Sequence, residues 1–240
     1  MLRAKLVLAP LLLALVAGTA RAATYTLESP AKNLVLTVKH DPKAGTLAWD
    51  VRSKGTPIIE KGALGIVTSA GDFSSGLAFV SQARRQLEET FKLPVGKRST
   101  YENHARELQL VFKKGAGELA ILLRAYDDGI AFRYNVRGSG PLEISAETST
   151  FPLSARNVTY WGQAHPNNYG YETPLGPVTA DRISMPVLAE LKDRKHFVMV
   201  TQAATYGDYI LPNYKRDGNA LALSFPMDQK EPVKATLPFV

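Results

Sequence analysis

The chain reads as an all-β protein, a sandwich or related architecture made of antiparallel sheets. Three observations lead there. Short stretches of alternating apolar and polar residues recur along most of the chain, turn residues interrupt them at short intervals, and no long segment carries a helical apolar stripe. The strongest stretch is Glu118–Val136, ELAILLRAYDDGIAFRYNV. Leu119, Ile121, Leu123 and Ala125 share one parity before Asp128-Gly129, and Ile130, Phe132, Tyr134 and Val136 share one after it. Alternation on both sides of an Asp-Gly pair predicts a β-hairpin, with a type I′ turn at Asp128-Gly129 and Gly129 at positive φ. The upstream strand is apolar on both parities as far as Leu123, so it is expected to be central and buried on both faces. Asp127 and Asp128 could be taken for a catalytic carboxylate pair, but adjacent acids in a turn usually serve the turn.

The other elements follow in order. Leu34–His40 places Leu34, Leu36 and Val38 on one face, and Leu47, Trp49 and Val51 alternate after the loop Asp41–Gly45. This predicts a second hairpin with a five-residue loop. Lys54-Gly55-Thr56-Pro57 turns the chain into Ile58-Ile59, and Ala63–Thr68 is a further short strand. Ser69–Thr90 is the least regular region. Gln82–Glu89 has helix-friendly residues without an apolar stripe and is expected to be loop or one turn of helix. Phe91, Leu93 and Val95 alternate up to Gly96-Lys97, and Glu107–Lys113 groups Leu108, Leu110 and Phe112. Lys114–Gly117 and Gly138–Pro141 read as turns. Further strands are expected at Leu142–Glu147, Val158–Trp161, Ile183–Lys192, Phe197–Ala203, Tyr209–Leu211, Leu221–Phe225 and Val233–Leu237. No repeat or low-complexity linker divides the chain, and one domain is expected.

Composition sets the compartment. Residues 1–22 combine Arg3 and Lys5, the apolar run Leu6–Ala17 and the small-x-small site Ala20-Arg21-Ala22, the pattern of a secretory signal peptide. The run is short for a membrane span. Removing residues 1–22 takes away Arg3, Lys5 and Arg21 and no acid, so the formal charge falls from +7 to +4. That is a weak basis for nucleic-acid binding. The chain has no cysteine, so a lipoprotein anchor is not expected and stability must come from a core. A soluble periplasmic or secreted domain, residues 23–240, is the expectation.

Candidates for chemistry are few. There is no Gly-x-Ser-x-Gly and no phosphate loop, and the histidines at 40, 104, 165 and 196 have no short ligand spacing. His40, at a strand end, reads as a half-exposed strand residue. His165 lies in the polar loop Gln163–Asn168. The segment Tyr160–Glu172, with Trp161, Tyr169, Tyr171 and Glu172, has aromatics that could stack a sugar ring. His165, Tyr171 and Glu172 are the candidate substrate-binding residues.

Several motifs line up in order with one family. Ser29–Thr37 (SPAKNLVLT), Gly55–Glu60, Glu107–Phe112, Arg124–Tyr134 (RAYDDGIAFRY), Glu147–Phe151 and Val198–Tyr209 (VMVTQAATYGDY) resemble the amino-terminal domain of glycoside hydrolase family 97, a group of exported α-glucosidases and α-galactosidases. The resemblance implies a β-super-sandwich similar to the galactose mutarotase fold, packed on a catalytic (β/α)₈ barrel. It implies that the barrel holds the two catalytic carboxylates and most ligands of a Ca²⁺ ion, so no catalytic residue is expected in this chain. The domain's own calcium glutamate is matched here by Gln202, whose amide oxygen is neutral, and calcium affinity follows ligand charge. The sequence stops at Leu237–Val240, where the family continues into the barrel, and a fragment or split product is expected. The expected function is a non-catalytic module shaping a sugar pocket and a calcium site. The alternatives are a stand-alone carbohydrate-binding module and a mutarotase-type epimerase.

Overall fold

A computed structural model describes residues 22–153, 159–162, 173–175, 183–203, 213–217, 220–225 and 231–239. All the paired strands are antiparallel, and the described residues contain no helix. The first sheet is a meander of β1 (Ala23–Glu28), β2 (Leu34–Asp41), β3 (Thr46–Ser53) and β4 (Thr56–Leu64), paired in that order. The chain then crosses at Gly65 into a seven-stranded sheet. Its strands are β5 (Ile66–Thr68), β6 (Gly71–Asp72), β7 (Ala78–Lys92), β8 (Thr100–Lys114), β9 (Gly117–Ala125) and β10 (Ile130–Glu147), in the order β6-β5-β10-β9-β8-β7, and a late strand also pairs with β10. A small sheet of β11 (Thr150–Pro152), β17 (Ala220–Ser224) and β16 (Asn213–Asp217) follows. Another holds β13 (Thr173–Leu175), β12 (Thr159–Gly162), β14 (Val187–Glu190) and β15 (Phe197–Val200). The last strand, β18 (Val233–Phe239), is the one that pairs with β10.

Alternation explains the layers. Leu36, Val38, Trp49 and Val51 of the first sheet share one buried cluster with Leu108, Leu110, Phe112, Leu119, Ile121 and Leu123 of the second. Each such side chain contributes about 1.5–3 kcal/mol on burial, so this core can hold the fold without disulfides. Aromatic rings join the sheets. Trp49 of β3 meets Phe132 of β10 and Phe151 of β11, each at 5.5 Å between ring centres, and Phe151 meets Tyr214 of β16 at 5.9 Å. As expected, β9 is central, between β8 and β10, with Leu119, Ala120 and Ile121 all buried.

Five local expectations are corrected. The turn between β9 and β10 is centred one residue earlier, on Asp127-Asp128, where the Tyr126 N–H donates to the Gly129 carbonyl, and Gly129 is not at positive φ. The type I′ geometry lies instead at Lys54-Gly55, whose φ values are 47° and 85° between the paired residues Ser53 and Thr56. Gln82–Glu89 is neither loop nor helix but the middle of β7. As an edge strand, β7 leaves almost all its side chains exposed, Leu87 excepted, so no buried parity marked it. Gly138–Pro141 is not a turn but a bulge inside β10, where the register to β18 shifts between Val136 and Gly140. The loop of the β2–β3 hairpin is one residue shorter than expected, because Asp41 pairs with Thr46. Phe197–Ala203 is strand only to Val200, and Tyr209–Leu211 lies outside the described residues.

Candidate functional site

The motif residues form three clusters of polar contacts, and each fixes one element against another. The first is the crossing at Gly65, where the backbone leaves one sheet for the other. The Thr148 N–H donates to the Gly65 carbonyl at 2.9 Å. The Gly65 N–H donates to the hydroxyl of Tyr134 at 2.8 Å, and this hydroxyl also bonds Ser149 Oγ at 2.7 Å. Ser149 in turn donates to Glu147 Oε1 at 2.9 Å. A side chain at residue 65 would put Cβ 2.5 Å from Thr148 Oγ1 and 2.8 Å from the Ser74 backbone, so only glycine fits. Burial, and next the Glu147 charge, pushes the Tyr134 hydroxyl far above the usual tyrosine range, and the same two causes raise Tyr214. Both phenols therefore stay neutral.

The second cluster is a row across β7, β8 and β9. Arg85 pairs in register with Glu107, and Glu107 with Arg124. Glu107 is buried, and its two carboxylate oxygens accept from Arg85 Nε at 2.5 Å and Arg124 Nε at 2.7 Å. Burial alone would push its pKa up, but the two guanidinium hydrogen bonds and charges outweigh it and hold the carboxyl below its ordinary value. The third cluster is the turn after β9. Asp127 Oδ1 accepts from the Ala31 N–H at 2.7 Å, and its carbonyl accepts from Asn33 Nδ2 at 2.8 Å. Asp127 therefore serves a turn, although the turn is that of the β1–β2 hairpin.

The residues singled out for chemistry do not assemble. His165, Tyr171 and Glu172 lie outside the described residues. His40 is corrected from half-exposed to buried: its ring lies 5.3 Å from that of Phe112, and Nε2–H donates to the Leu77 carbonyl at 2.8 Å. His104 is exposed beside Glu102. His196 bonds Asp193, whose carboxyl is lowered to about 2, first by the Lys195 N–H and then by His196. Gln202 stands two residues beyond the end of β15, on the parity of half-buried Val198 and buried Val200. Its Oε1 is buried with no hydrogen-bond partner among the described residues.

A family model described as the glycosyl-hydrolase 97 N-terminal domain matches residues 27–236. The chain belongs to that family. The family-97 domain is 27% identical over 171 residues to the "Probable retaining alpha-galactosidase" of Streptomyces bingchenggensis, across 70% of this chain and 27% of that protein. It is 29% identical over 128 residues to the "Retaining alpha-galactosidase" of Bacteroides thetaiotaomicron, across 53% of this chain and 18% of that protein. Among solved structures it superposes on a glycoside hydrolase family 97 enzyme from Pseudoalteromonas sp. strain K8 in complex with acarbose, with TM-score 0.77 and 22% identity over 88% of this chain and 33% of that one. A β-arabinopyranosidase structure gives TM-score 0.79 at 19% identity, over 90% of this chain and 38% of that one. The family-97 domain thus spans about a quarter or less of these curated relatives and a third or slightly more of the solved chains.

The family motifs have a physical reading in this domain. Arg124–Tyr134 supplies the partner of Glu107, the cap on the β1–β2 turn, the Phe132 ring and the Tyr134 hydroxyl. The sequence marked these residues as motif without giving their partners, which come from distant strands. A calcium site is not complete in the described residues. No group of three or more His, Asp or Glu side chains there could hold a metal, and Gln202 offers one neutral oxygen where Ca²⁺ takes six to eight.

Proposed function

We propose that this chain is the non-catalytic amino-terminal module of an exported family-97 α-glycosidase, placed beside a catalytic (β/α)₈ barrel and forming one wall of its sugar pocket. The family match over residues 27–236 carries the reading, and the third-length coverage of solved family-97 enzymes supports it. Cleavage of a glycosidic bond by two carboxylates needs both groups flanking the scissile oxygen, and in this reading the barrel supplies both. His165, Tyr171 and Glu172 are the proposed sugar contacts of this domain. The buried Oε1 of Gln202, without a hydrogen-bond partner among the described residues, supports a single oxygen directed at a calcium site that the barrel would otherwise build. Export to the periplasm or medium rests on the signal pattern of residues 1–22.

The test is hydrolysis of an aryl α-galactoside and an aryl α-glucoside by purified residues 23–240. No turnover above buffer is expected. Turnover that a point change within this chain abolishes would overturn the reading and favour an enzyme in its own right.

A further inference from the structure

We propose that the β7–β8 hairpin is a docking arm whose tip, Phe91–Tyr101, seats in an apolar depression rimmed by carboxylates on the catalytic part of a family-97 enzyme. This inference rests on the reading above, that such a part works beside this domain. The register shows where the arm begins. The pairing of β8 with β9 runs from Lys114 to Arg106 and stops there, opposite Ala125. The pairing of β8 with β7 continues to Thr100, opposite Lys92. Six residues of two-stranded ribbon therefore project past β9, about 20 Å at about 3.4 Å per residue.

Such a ribbon is marginal on its own, and its burial changes along its length. At the root, Leu87 is 6% exposed and Ala105 0%. At the tip, Phe91 is 45% exposed, Leu93 42% and Val95 78%, although Phe91 stacks on Tyr101 across the ribbon. The root is covered by the domain and the tip is not. From Thr90 to Tyr101 the sequence holds Lys92, Lys97 and Arg98 and no acid. None of the three cations has an ion-pair partner among the described residues. Three exposed apolar side chains in one short stretch with three cations that lack an ion-pair partner among the described residues call for an apolar surface edged with carboxylates.

The direction of the chain selects the occupant. β10 begins at Ile130 opposite Ala125, the same end of the sheet at which β8 outruns β9. β18 is antiparallel to β10 and runs from Val233, opposite Ile144, to Phe239, opposite Val136. It therefore points toward the end from which the arm projects. β18 ends opposite Val136, six residues short of Ile130, so a domain following it would be directed along β10 toward the end from which the arm projects. The solved family-97 chains carry about two thirds of their length outside the part this domain matches, so a large following partner is the occupant that fits.

The experiment replaces the amino-terminal family-97 segment of the Bacteroides thetaiotaomicron relative with residues 23–240 of this chain. Glycosidase activity of the fusion reports on the proposed function. Hydrogen–deuterium exchange of residues 91–101, in the fusion against the isolated chain, reports on the arm. Slowed exchange at the tip in the fusion is expected. That protection should be lost in the variant Phe91→Ser/Leu93→Ser/Val95→Ser, and in Lys92→Glu/Lys97→Glu/Arg98→Glu. Both variants change exposed side chains, so the isolated variants should melt with the parent. An active fusion with an unprotected tip overturns the arm and leaves the proposed function standing. A protected tip in an inactive fusion upholds the contact and counts against the function alone, and an unprotected tip in an inactive fusion overturns both. Arm-dependent flotation of the isolated chain with anionic vesicles, or its arm-dependent dimerisation, would assign the tip to lipid or to a second copy and overturn the proposal.

Discussion

Replacing Tyr134 with Phe removes one oxygen and keeps the ring that packs 5.8 Å from Phe132. What changes is the crossing between the two sheets. The buried Gly65 N–H loses its acceptor, the Tyr134 hydroxyl. Ser149 loses the same hydroxyl but keeps Glu147 at 2.9 Å. A buried donor left without a partner costs about 1–3 kcal/mol, so a loss of about 2 kcal/mol is expected. For a domain of this size each kcal/mol moves the melting temperature by about 2–4 °C, which makes the expected drop about 4–8 °C. Ser149→Ala should cost less, because Gly65 then keeps its bond. Chemical denaturation in urea with an unchanged m value checks the number, and the double variant should be non-additive. A Tyr134→Phe protein within about 0.5 kcal/mol of the parent would refute the claim that this hydroxyl satisfies the crossing.

The remaining predictions are these. Glu107→Gln should destabilise the chain, because Arg124 and Arg85 lose their shared carboxylate. In the parent the Glu107 carboxyl lies below its unfolded value, so its contribution is present above about pH 4 and lost as pH falls through the lower folded value; acid titration of stability should be shallower in the variant. Tyr134 and Tyr214 are raised when folded, so their contribution is full below about pH 10 and lost above it, visible as alkaline unfolding that Tyr134→Phe reduces. Gly129→Val should be nearly neutral, because the residue is not at positive φ and an added Cβ meets nothing, whereas Gly55→Val at φ 85° should cost about 1–2 kcal/mol; equal urea midpoints for the two would contradict the turn assignment. The isolated chain should bind Ca²⁺ negligibly by calorimetry, and Gln202→Glu should raise calcium affinity only in the fusion with a catalytic part. Equal calcium titrations of the Gln and Glu fusions would remove Gln202 from the metal site. The exported form should begin within a residue or two of Ala23 by amino-terminal sequencing.

How much was legible in the sequence varied with the physics of each element. Period-2 alternation is written by burial on one face, so Leu34–His40, Leu47–Val51, Glu107–Lys113 and Glu118–Val136 could be read as strands without a structure. The same signal fails where neither face is buried. Gln82–Glu89 had to be missed, because an edge strand with almost every side chain exposed is held by its backbone ladder to β8 and not by its side chains. The Asp-Gly pair illustrates a different failure. Turn chemistry at residues 127–129 was recognised, but Asp127 is held by the Ala31 N–H and Asn33, ninety-odd positions away, and the turn is centred on Asp127-Asp128.

Sequence by itself therefore determined the class of fold, the family and the list of motif residues, because each depends on local pattern and ordered spacing. Tertiary structure alone decided what those residues touch. Tyr134 meets the Gly65 N–H only because two sheets cross there. Glu107 faces two arginines only because three strands are in register, and His40 is buried only because Phe112 and the Leu77 carbonyl close over it. Contacts between residues far apart in sequence are set by register and packing, which no local pattern encodes. The exposed tip of the β7–β8 arm belongs to the same class, since its alternation reads as an ordinary strand until the pairing shows that β9 stops short of it.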